Sequence, residues 1–225
     1  MLVSIAEKEH HMRYKILFYI VPSFFLILLP GCGRIVDWAK DSFYQGNDLY
    51  DYSTIPRKYL RSITVYDQFE TMGTFDSLWL SDSVRTAYAQ LNACKRGKSF
   101  EHERASLRRQ LEENKHYIDF YVLSLYNKPL DTEDALWTLF LEVGGNRYAP
   151  IEIKAIELAP EYQFFFGKRF SKFKVPYLVR FNAYDIENRP IITKRTEEIR
   201  LIFRSVEKDV MLNWNLRELG DNSEI

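Results

Sequence analysis

The sequence predicts a mainly β protein with an N-terminal α-helical part, in which a helix pair precedes an antiparallel β-sandwich. Two observations predict this fold class. Apolar residues recur at helical spacing up to Asn114, and after His116 they alternate with polar residues as in half-buried strands. The chain has 225 residues, of which 16% are aromatic and 28% are charged. These values are typical of a globular domain with its own core.

The N-terminal segment has the order of regions found in a secretory signal peptide. A short basic stretch ends at Lys15, and residues 16–29 then run almost without a polar side chain. The uncharged span between Lys15 and Arg34 is only just long enough to cross a bilayer, and Pro22 and Pro30 interrupt it. We therefore predict a signal peptide over residues 1–31, and we favour Met12 as its true start, with residues 1–11 as an extension. A membrane-spanning anchor helix is the competing interpretation.

The end of that segment, Leu29-Pro30-Gly31-Cys32, resembles the lipobox of bacterial lipoproteins, in which a leucine precedes two small residues and a cysteine. The resemblance covers residues 12–33 and implies cleavage between Gly31 and Cys32. Cys32 is then the lipid attachment site, since a thiolate is the most nucleophilic side chain that a protein offers. Pro30 departs from the Ala, Ser, Thr or Val that is usual at its place.

The lipobox resemblance also implies a location in the cell envelope. Two or more acyl chains on Cys32 hold a protein lastingly on a membrane, whereas one chain binds only marginally. In lipoproteins of enteric-type bacteria an Asp after the cysteine favours the inner membrane. Gly33 stands there in this chain, so the resemblance favours the outer membrane if the source has one.

The chain after Cys32 is expected to start with a tether. Residues 32–59 are polar and contain one short amphipathic helix at 35–43. Alternation at 61–66 then predicts a strand. The helix pair follows, so that strand and helices together make up the region 60–115.

The helix pair is predicted from apolar spacing and from its flanking residues. The first helix begins at about Phe75 or Ser83 and ends at Gly97, a residue suited to the left-handed turn after a helix. Ser99 is suited to cap the second helix, which runs to Asn114.

Alternating segments after His116 predict the sandwich, which covers residues 116–216 and leaves 217–225 as a C-terminal tail. Gly144-Gly145-Asn146 supplies the positive φ angles of a tight hairpin. The strands are predicted at 117–126, 137–143, 147–158, 177–184, 199–203 and 210–214. Several short strands at this spacing resemble immunoglobulin-like modules in architecture, although the Cys–Trp–Cys signature of antibody domains is absent.

Charge and cysteine content exclude some functions. Without residues 1–31 the chain keeps 28 basic and 29 acidic residues, a net charge of −1. This balance provides no long-range attraction for nucleic acid, which is therefore not an expected partner. If Cys32 is lipidated, Cys94 has no disulfide partner; its helical spacing from Leu91 predicts a small buried residue, with a reactive thiol as the alternative.

Motifs for metal or cofactor chemistry are missing from the sequence. His102 and His116 are the histidines that follow the signal segment, and their spacing does not match a metal site. The sequence contains no glycine-rich phosphate loop and no Gly-x-Ser-x-Gly elbow. Neither a metal nor a cofactor is therefore predicted.

Two acidic groups lie between predicted strands. Asp131, Glu133 and Asp134 form the first group, and Asp185 and Glu187 form the second. Carboxylates at alternating positions can bind calcium, but Asp is also common in turns, which is the interpretation favoured here. A glycan hydrolase would need two such carboxylates across one cleft.

The segment 164–174 combines phenylalanines with four basic residues, Lys168, Arg169, Lys172 and Lys174. This composition suits contact with an anionic membrane surface or glycan. The alternative places the phenylalanines in the core and leaves the basic residues in solvent.

Together these observations favour a membrane-anchored bacterial lipoprotein whose sandwich is a non-enzymatic binding or structural module of the cell envelope. Its expected partners are the membrane, through the lipid, and an envelope protein or an anionic glycan or lipid. The alternative is an envelope hydrolase that acts on glycan or lipid through carboxylates.

Overall fold

The computed structural model describes residues 52–68, 70–125 and 129–220. The predicted signal peptide, the lipobox with Gly31 and Cys32, and the helix expected at 35–43 lie outside these residues. Residues 52–58 are helical and lead directly into the first strand.

Within the described residues, nine strands form two sheets in which every pair is antiparallel. They are β1 (Leu60–Asp67), β2 (Glu70–Trp79), β3 (Tyr117–Leu125), β4 (Thr138–Val143), β5 (Asn146–Tyr148), β6 (Glu152–Ala155), β7 (Val175–Asn182), β8 (Glu198–Arg204) and β9 (Asp209–Asn215). The five-stranded sheet has the order β1-β2-β3-β7-β6, and the four-stranded sheet has the order β5-β4-β8-β9. The prediction of a mainly β, antiparallel protein is confirmed.

Aromatic side chains join the two sheets. Phe75 of β2 stacks on Phe203 of β8 with ring centroids 4.3 Å apart, and Phe120 of β3 lies 5.3 Å from Trp214 of β9. Trp214 and Phe181 are fully buried, as the alternation of their strands requires. Large rings contribute much of the apolar area that a core removes from water. The sheets are therefore packed face to face in a sandwich-like arrangement.

The helices with defined bounds are α1 (Asp82–Arg96), α2 (Phe100–His116), α3 (Pro160–Phe166) and α4 (Leu216–Leu219), and a 3₁₀ turn covers Gly167–Arg169. Ser81 caps α1 because its hydroxyl accepts a hydrogen bond from the backbone N of Val84 at 3.4 Å. Gly97 ends α1 at a φ of 57°, as predicted. The hydroxyl of Ser99 contacts Nδ1 of His102 at 2.9 Å and makes no side-chain capping bond to α2.

The position predicted for the helix pair is wrong. The two helices do not precede the sandwich; they connect β2 to β3, which are neighbours in the five-stranded sheet. Of the two predicted starts, Phe75 is wrong because Glu70–Trp79 is strand β2, whereas Ser83 lies in the first turn of α1. Asp76 and Ser77 of β2 are buried polar residues that hide the alternation of this strand. The region 60–115 therefore contributes two strands to the sandwich.

The single strand predicted at 147–158 is two strands in different sheets. β5 pairs with β4, whereas β6 pairs with β7 in the other sheet. Pro150 lies between them and has no N–H to donate to a ladder, so the chain crosses from one sheet to the other at that point.

The prediction that Cys94 is buried is also wrong, because its side chain is exposed. The buried face of α1 includes Arg85 and Asn92 and is therefore rotated away from the purely apolar stripe. Cys94 lies at the margin of this face, in the last turn before Gly97. Near the C-terminus, α4 and Gly220 occupy the start of the predicted tail.

Candidate functional site

A cavity of about 720 Å³ opens at one end of the sandwich. We call this the tether end, because β1 begins there and β2 ends there, with Leu60 paired to Leu78. The wall of the cavity is mainly apolar. Its principal apolar residues are Trp79, Leu80, Leu111, Ile118, Ile192 and Leu216. Both the size and the apolar lining are typical of binding sites for small ligands.

The residue that brings the chain into the sandwich touches this wall. Tyr59 packs its ring against Trp79 with centroids 5.7 Å apart, and its carbonyl accepts the indole N–H of Trp214 at 2.7 Å. The backbone N of Trp79 also donates to the carbonyl of Tyr59 at 3.3 Å. The entry of the chain and the cavity are therefore parts of one end of the sandwich.

Polar and charged side chains also line the cavity. Asp82 accepts a hydrogen bond from Nδ2 of Asn114 at 2.6 Å, and Lys115 pairs with Glu112 at 2.8 Å. Lys194 also lines the cavity, and no carboxylate among the described residues pairs with it. Of the two lysines that line the cavity, Lys115 has a carboxylate partner and Lys194 has none among the described residues.

A buried ion network lies beside the cavity, on the outer face of the five-stranded sheet. Asp119 of β3 has only 1% of its side chain exposed. Its carboxylate accepts hydrogen bonds from Nη2 of Arg85 at 2.7 Å and from Nε of Arg180 at 2.8 Å. The hydrogen bonds that Arg180 donates to Asp119 raise the pKa of Arg180 above its ordinary value. Glu113 of α2 lies 3.0 Å from Arg85 and extends the network to the second helix.

Asn114 connects this network to the cavity wall. Its Oδ1 accepts a hydrogen bond from Nε of Arg85 at 2.5 Å. Its Nδ2 donates hydrogen bonds to the carbonyl of Leu80 at 3.1 Å and to the carboxylate of Asp82. The backbone N of Leu80 donates in turn to the carbonyl of Asp119 at 2.9 Å. The charged network therefore holds the segment that forms one side of the cavity.

Tyrosines fill the space between the helices and the same sheet face. Tyr88 of α1 stacks on Tyr162 of α3 at 4.4 Å, and Tyr121 of β3 meets Tyr162 edge to face at 4.7 Å. Burial raises the pKa of Tyr121 to about 12 and the pKa of Tyr162 well above its ordinary value. Both hydroxyls therefore stay protonated at any physiological pH.

The structure divides the four basic residues of the segment 164–174. Lys174 is 13% exposed and pairs with the buried carboxylate of Asp76 at 2.5 Å, where Arg169 also lies 3.7 Å away. Lys168 and Lys172 are exposed, and Lys172 lies 5.4 Å from the exposed ring of Phe173. Of the phenylalanines at the start of the segment, Phe165 and Phe166 are buried. The phenylalanines Phe165 and Phe166 therefore belong to the core, as one interpretation of the segment holds, while Lys168 and Lys172 remain accessible.

The acidic groups between strands lie in turns. Asp185 accepts the backbone N of Glu187 and of Arg189, each at 2.9 Å, and these contacts with Arg189 lower its pKa. Asp131 accepts the backbone N of Ala155 at 3.2 Å. The described residues contain no group of three or more His, Cys, Asp or Glu side chains arranged for a metal ion.

Comparison with known proteins provides no relative for this chain. No protein-family model, no curated protein and no solved structure matches it significantly. Among the described residues, no helix is long and apolar enough to cross a membrane.

The cavity was not predicted from the sequence. Its wall is formed by residues from β2, α2, β3 and the segment after β7, which are far apart along the chain. One local signal existed: the apolar pair Ile191-Ile192 lies in an otherwise polar loop. An apolar pair in a connection between strands indicates that this part of the connection packs against apolar residues elsewhere in the fold.

Proposed function

We propose that this protein is a membrane-anchored bacterial lipoprotein, attached through Cys32, whose sandwich is a non-enzymatic binding module of the cell envelope. The lipobox resemblance of residues 29–32 supports the anchor. The apolar cavity at the tether end supports the binding role. Gly33 supports an outer-membrane location in a bacterium with two membranes.

One observation favours binding over catalysis. Among the described residues that line the cavity, Asp82 is the single carboxylate, and Asn114 holds it by a hydrogen bond of 2.6 Å. Hydrolysis of a glycoside by the common mechanism needs two carboxyl groups, about 5 to 9.5 Å apart, on either side of the bond. The cavity is therefore better suited to hold a ligand than to cleave one.

An immunoglobulin-like architecture is a further part of the proposal. Two antiparallel sheets that pack through aromatic residues support it. So does the burial of Trp214, which lies against Phe120 of the facing sheet. In such modules the loops at one end of the sandwich commonly carry binding residues, and the cavity lies at one end here.

The anchor is tested by intact mass spectrometry of the protein extracted from its native membrane. The expected product is a chain that begins at Cys32 and carries acyl groups. Cys32→Ser should accumulate as an uncleaved precursor, while Cys94→Ser, the matched control, should be processed normally. An unmodified thiol at Cys32 would contradict the proposal.

The non-enzymatic role is tested with glycan and ester substrates. The purified chain is expected to bind an envelope component without converting these substrates. If it hydrolyses one of them, and Asp82→Asn abolishes the reaction, the alternative of an envelope hydrolase replaces the binding role.

Contact with an anionic surface is proposed for Lys168 and Lys172, with Arg169 and Lys174 taking part less because they face Asp76. Each basic residue near an anionic membrane is worth about 1 kcal/mol, and salt screens this attraction. Vesicle binding should therefore weaken with salt and fall in the double variant Lys168→Gln/Lys172→Gln. Lys154→Gln, an exposed lysine of β6, is the control. Binding that is unchanged in the double variant excludes the surface role.

A further inference from the structure

The cavity at the tether end combines an apolar wall, an unpaired cation at the rim and a position beside the entry of the chain. We infer that it binds a single-chain amphiphile, an acyl chain that ends in an anionic head group. This inference rests on the proposed function of the sandwich as a binding module. It adds the chemical class of the ligand.

The wall selects an apolar ligand. Trp79, Leu80, Ile118 and Leu216 line a space of about 720 Å³. These four side chains are each less than a tenth exposed, so the accessible apolar surface comes from neighbours such as Leu111, Pro190 and Ile192. Every methylene group that leaves water for such a wall adds to affinity. A long acyl chain gains most from this arrangement.

The rim selects an anionic head group. Two lysines, Lys115 and Lys194, and one carboxylate, Asp82, line the opening, so cations are in excess. Lys115 is already paired with Glu112, and Asp82 is bound by Asn114. Lys194 remains without a carboxylate partner among the residues that the structure describes. An anion at the rim would supply that partner.

The turn that carries Lys194 is held in place. The backbone N of Thr193 donates to Oγ1 of Thr196 at 2.9 Å, and the backbone N of Arg195 donates to Oγ1 of Thr193 at 3.3 Å. These bonds fix the backbone on both sides of Lys194. The turn therefore keeps the base of this side chain beside the cavity.

The proposed lipid attachment site is close in sequence to the segment that enters the sandwich beside the cavity. Cys32 lies twenty positions before Tyr52, and the chain from Tyr52 enters the sandwich beside the cavity. Twenty residues span at most roughly 70 Å even when fully extended. If Cys32 is acylated, this length is the upper limit on the distance between the lipid-bearing residue and Tyr52.

Photocrosslinking of the full chain in its native membrane tests the inference. The probe is a palmitate analogue with a diazirine in its acyl chain, and mass spectrometry locates the labelled peptides. Labelling is expected in the cavity-lining stretches 79–82, 111–118 and 183–196. Labelling that is spread over the exposed surface, or absent from these stretches, would overturn the inference.

Variants separate the wall from the rim. Ala183→Trp and Ile192→Trp each add a large ring to the lining, and each should reduce labelling at least tenfold. Two filling variants are used so that one that fails to fold does not end the test. Lys194→Gln should reduce labelling about threefold to fivefold, the range of an exposed ion pair. Lys154→Gln should leave it unchanged.

Competition identifies the source of the head group. Palmitate and lysophosphatidylglycerol both carry an anion, and the better competitor shows whether a carboxylate or a phosphate is preferred. Hexadecanol, which has the same chain and no charge, should compete weakly. If hexadecanol competes as well as both anions, the head-group part of the inference is wrong.

The same sample distinguishes this inference from the proposed function. Intact mass shows whether Cys32 is acylated, and substrate assays show whether turnover occurs. If Cys32 is acylated, turnover is absent and the cavity is not labelled, only the ligand class is overturned. Turnover that depends on Asp82 overturns the binding role itself.

Discussion

The outer faces of the two sheets carry the same kinds of charged residue in different surroundings. On the five-stranded sheet, α1, α2 and α3 cover Asp119 and Arg180, and we call this the covered face. On the four-stranded sheet, which we call the open face, Glu142 bonds to Arg147 at 2.9 Å and to Arg200 at 3.1 Å near solvent. The ion pairs of the two faces have similar distances. The arginines of the open face are far more exposed to solvent than Arg85 of the covered face.

This difference teaches where charge matters in the molecule. Water screens the pairs of the open face, so their removal changes little. On the covered face the helices exclude water, and a charge that loses its partner there has no solvent to replace it. The covered face also borders the cavity through Asn114. Its charges therefore bear on the binding site as well as on stability.

The largest effect is expected from Asp119→Asn. The change removes the negative charge that Arg85 and Arg180 share, and Arg85 has only 3% of its side chain exposed. Loss of one partner from a buried pair costs about 3–5 kcal/mol of unfolding free energy. Denaturant unfolding measures this value. A loss below about 1 kcal/mol would show that the covered face is solvated like the open face.

A smaller loss is expected from Lys174→Met, which leaves Asp76 without its nearest cation. Arg169 and the hydroxyl of Ser62 still face Asp76, so we expect a loss of about 2–3 kcal/mol. Lys172→Met, an exposed lysine of the same segment, is the matched control and should change stability by less than about 0.5 kcal/mol. Equal losses in the two variants would remove the distinction between them.

At alkaline pH the covered face should lose stability through Tyr121. Its pKa is raised by burial to about 12 in the folded protein, while the ordinary value is 10.0. A raised pKa contributes stability that is complete below pH 10 and is lost as the pH rises towards 12. Tyr121→Phe should therefore flatten this alkaline loss, by up to about 2–3 kcal/mol. Denaturant unfolding of the parent chain and of Tyr121→Phe between pH 8 and pH 12 tests this prediction. Equal losses of unfolding free energy in the two proteins would contradict it.

The smallest effect is expected from Glu142→Gln on the open face. The hydrogen bond from Arg147 lowers the pKa of Glu142 below its ordinary 4.5, so its contribution is present above that pH and is lost as the pH falls through the lowered value. At neutral pH the variant should lose less than about 1 kcal/mol. The difference should shrink in acid and in high salt. A larger loss that resists salt would mean that this face is also covered.

The sheets were predictable where alternation is clean. Leu139, Leu141 and Val143 alternate with polar residues, and the structure confirms their strand and the glycine hairpin after it. Strand β2 was missed because Asp76 and Ser77 are polar residues that the fold buries. Asp76 is buried because Lys174, which is 98 positions away in the sequence, pairs with its carboxylate. Such a partner cannot be identified from the local sequence.

The site was less predictable than the fold. Arg85 lies in the apolar stretch of α1 and would pass for a solvent-exposed residue, because its partners Gln110, Glu113 and Asp119 are 25 to 34 positions away. The cavity is likewise built from segments that only the topology brings together. Local periodicity carries no information about such contacts.

The most direct test of the account compares two asparagines by hydrogen exchange in the full chain. Asn114 braces the cavity wall from the covered face, whereas Asn213 lies exposed on β9 of the open face. Asn114→Ala should speed exchange of the amides of Leu80 and Arg85 and leave the four-stranded sheet unchanged, while Asn213→Ala should change neither region. If the two variants give the same exchange pattern, the covered face does not support the cavity and the account is wrong.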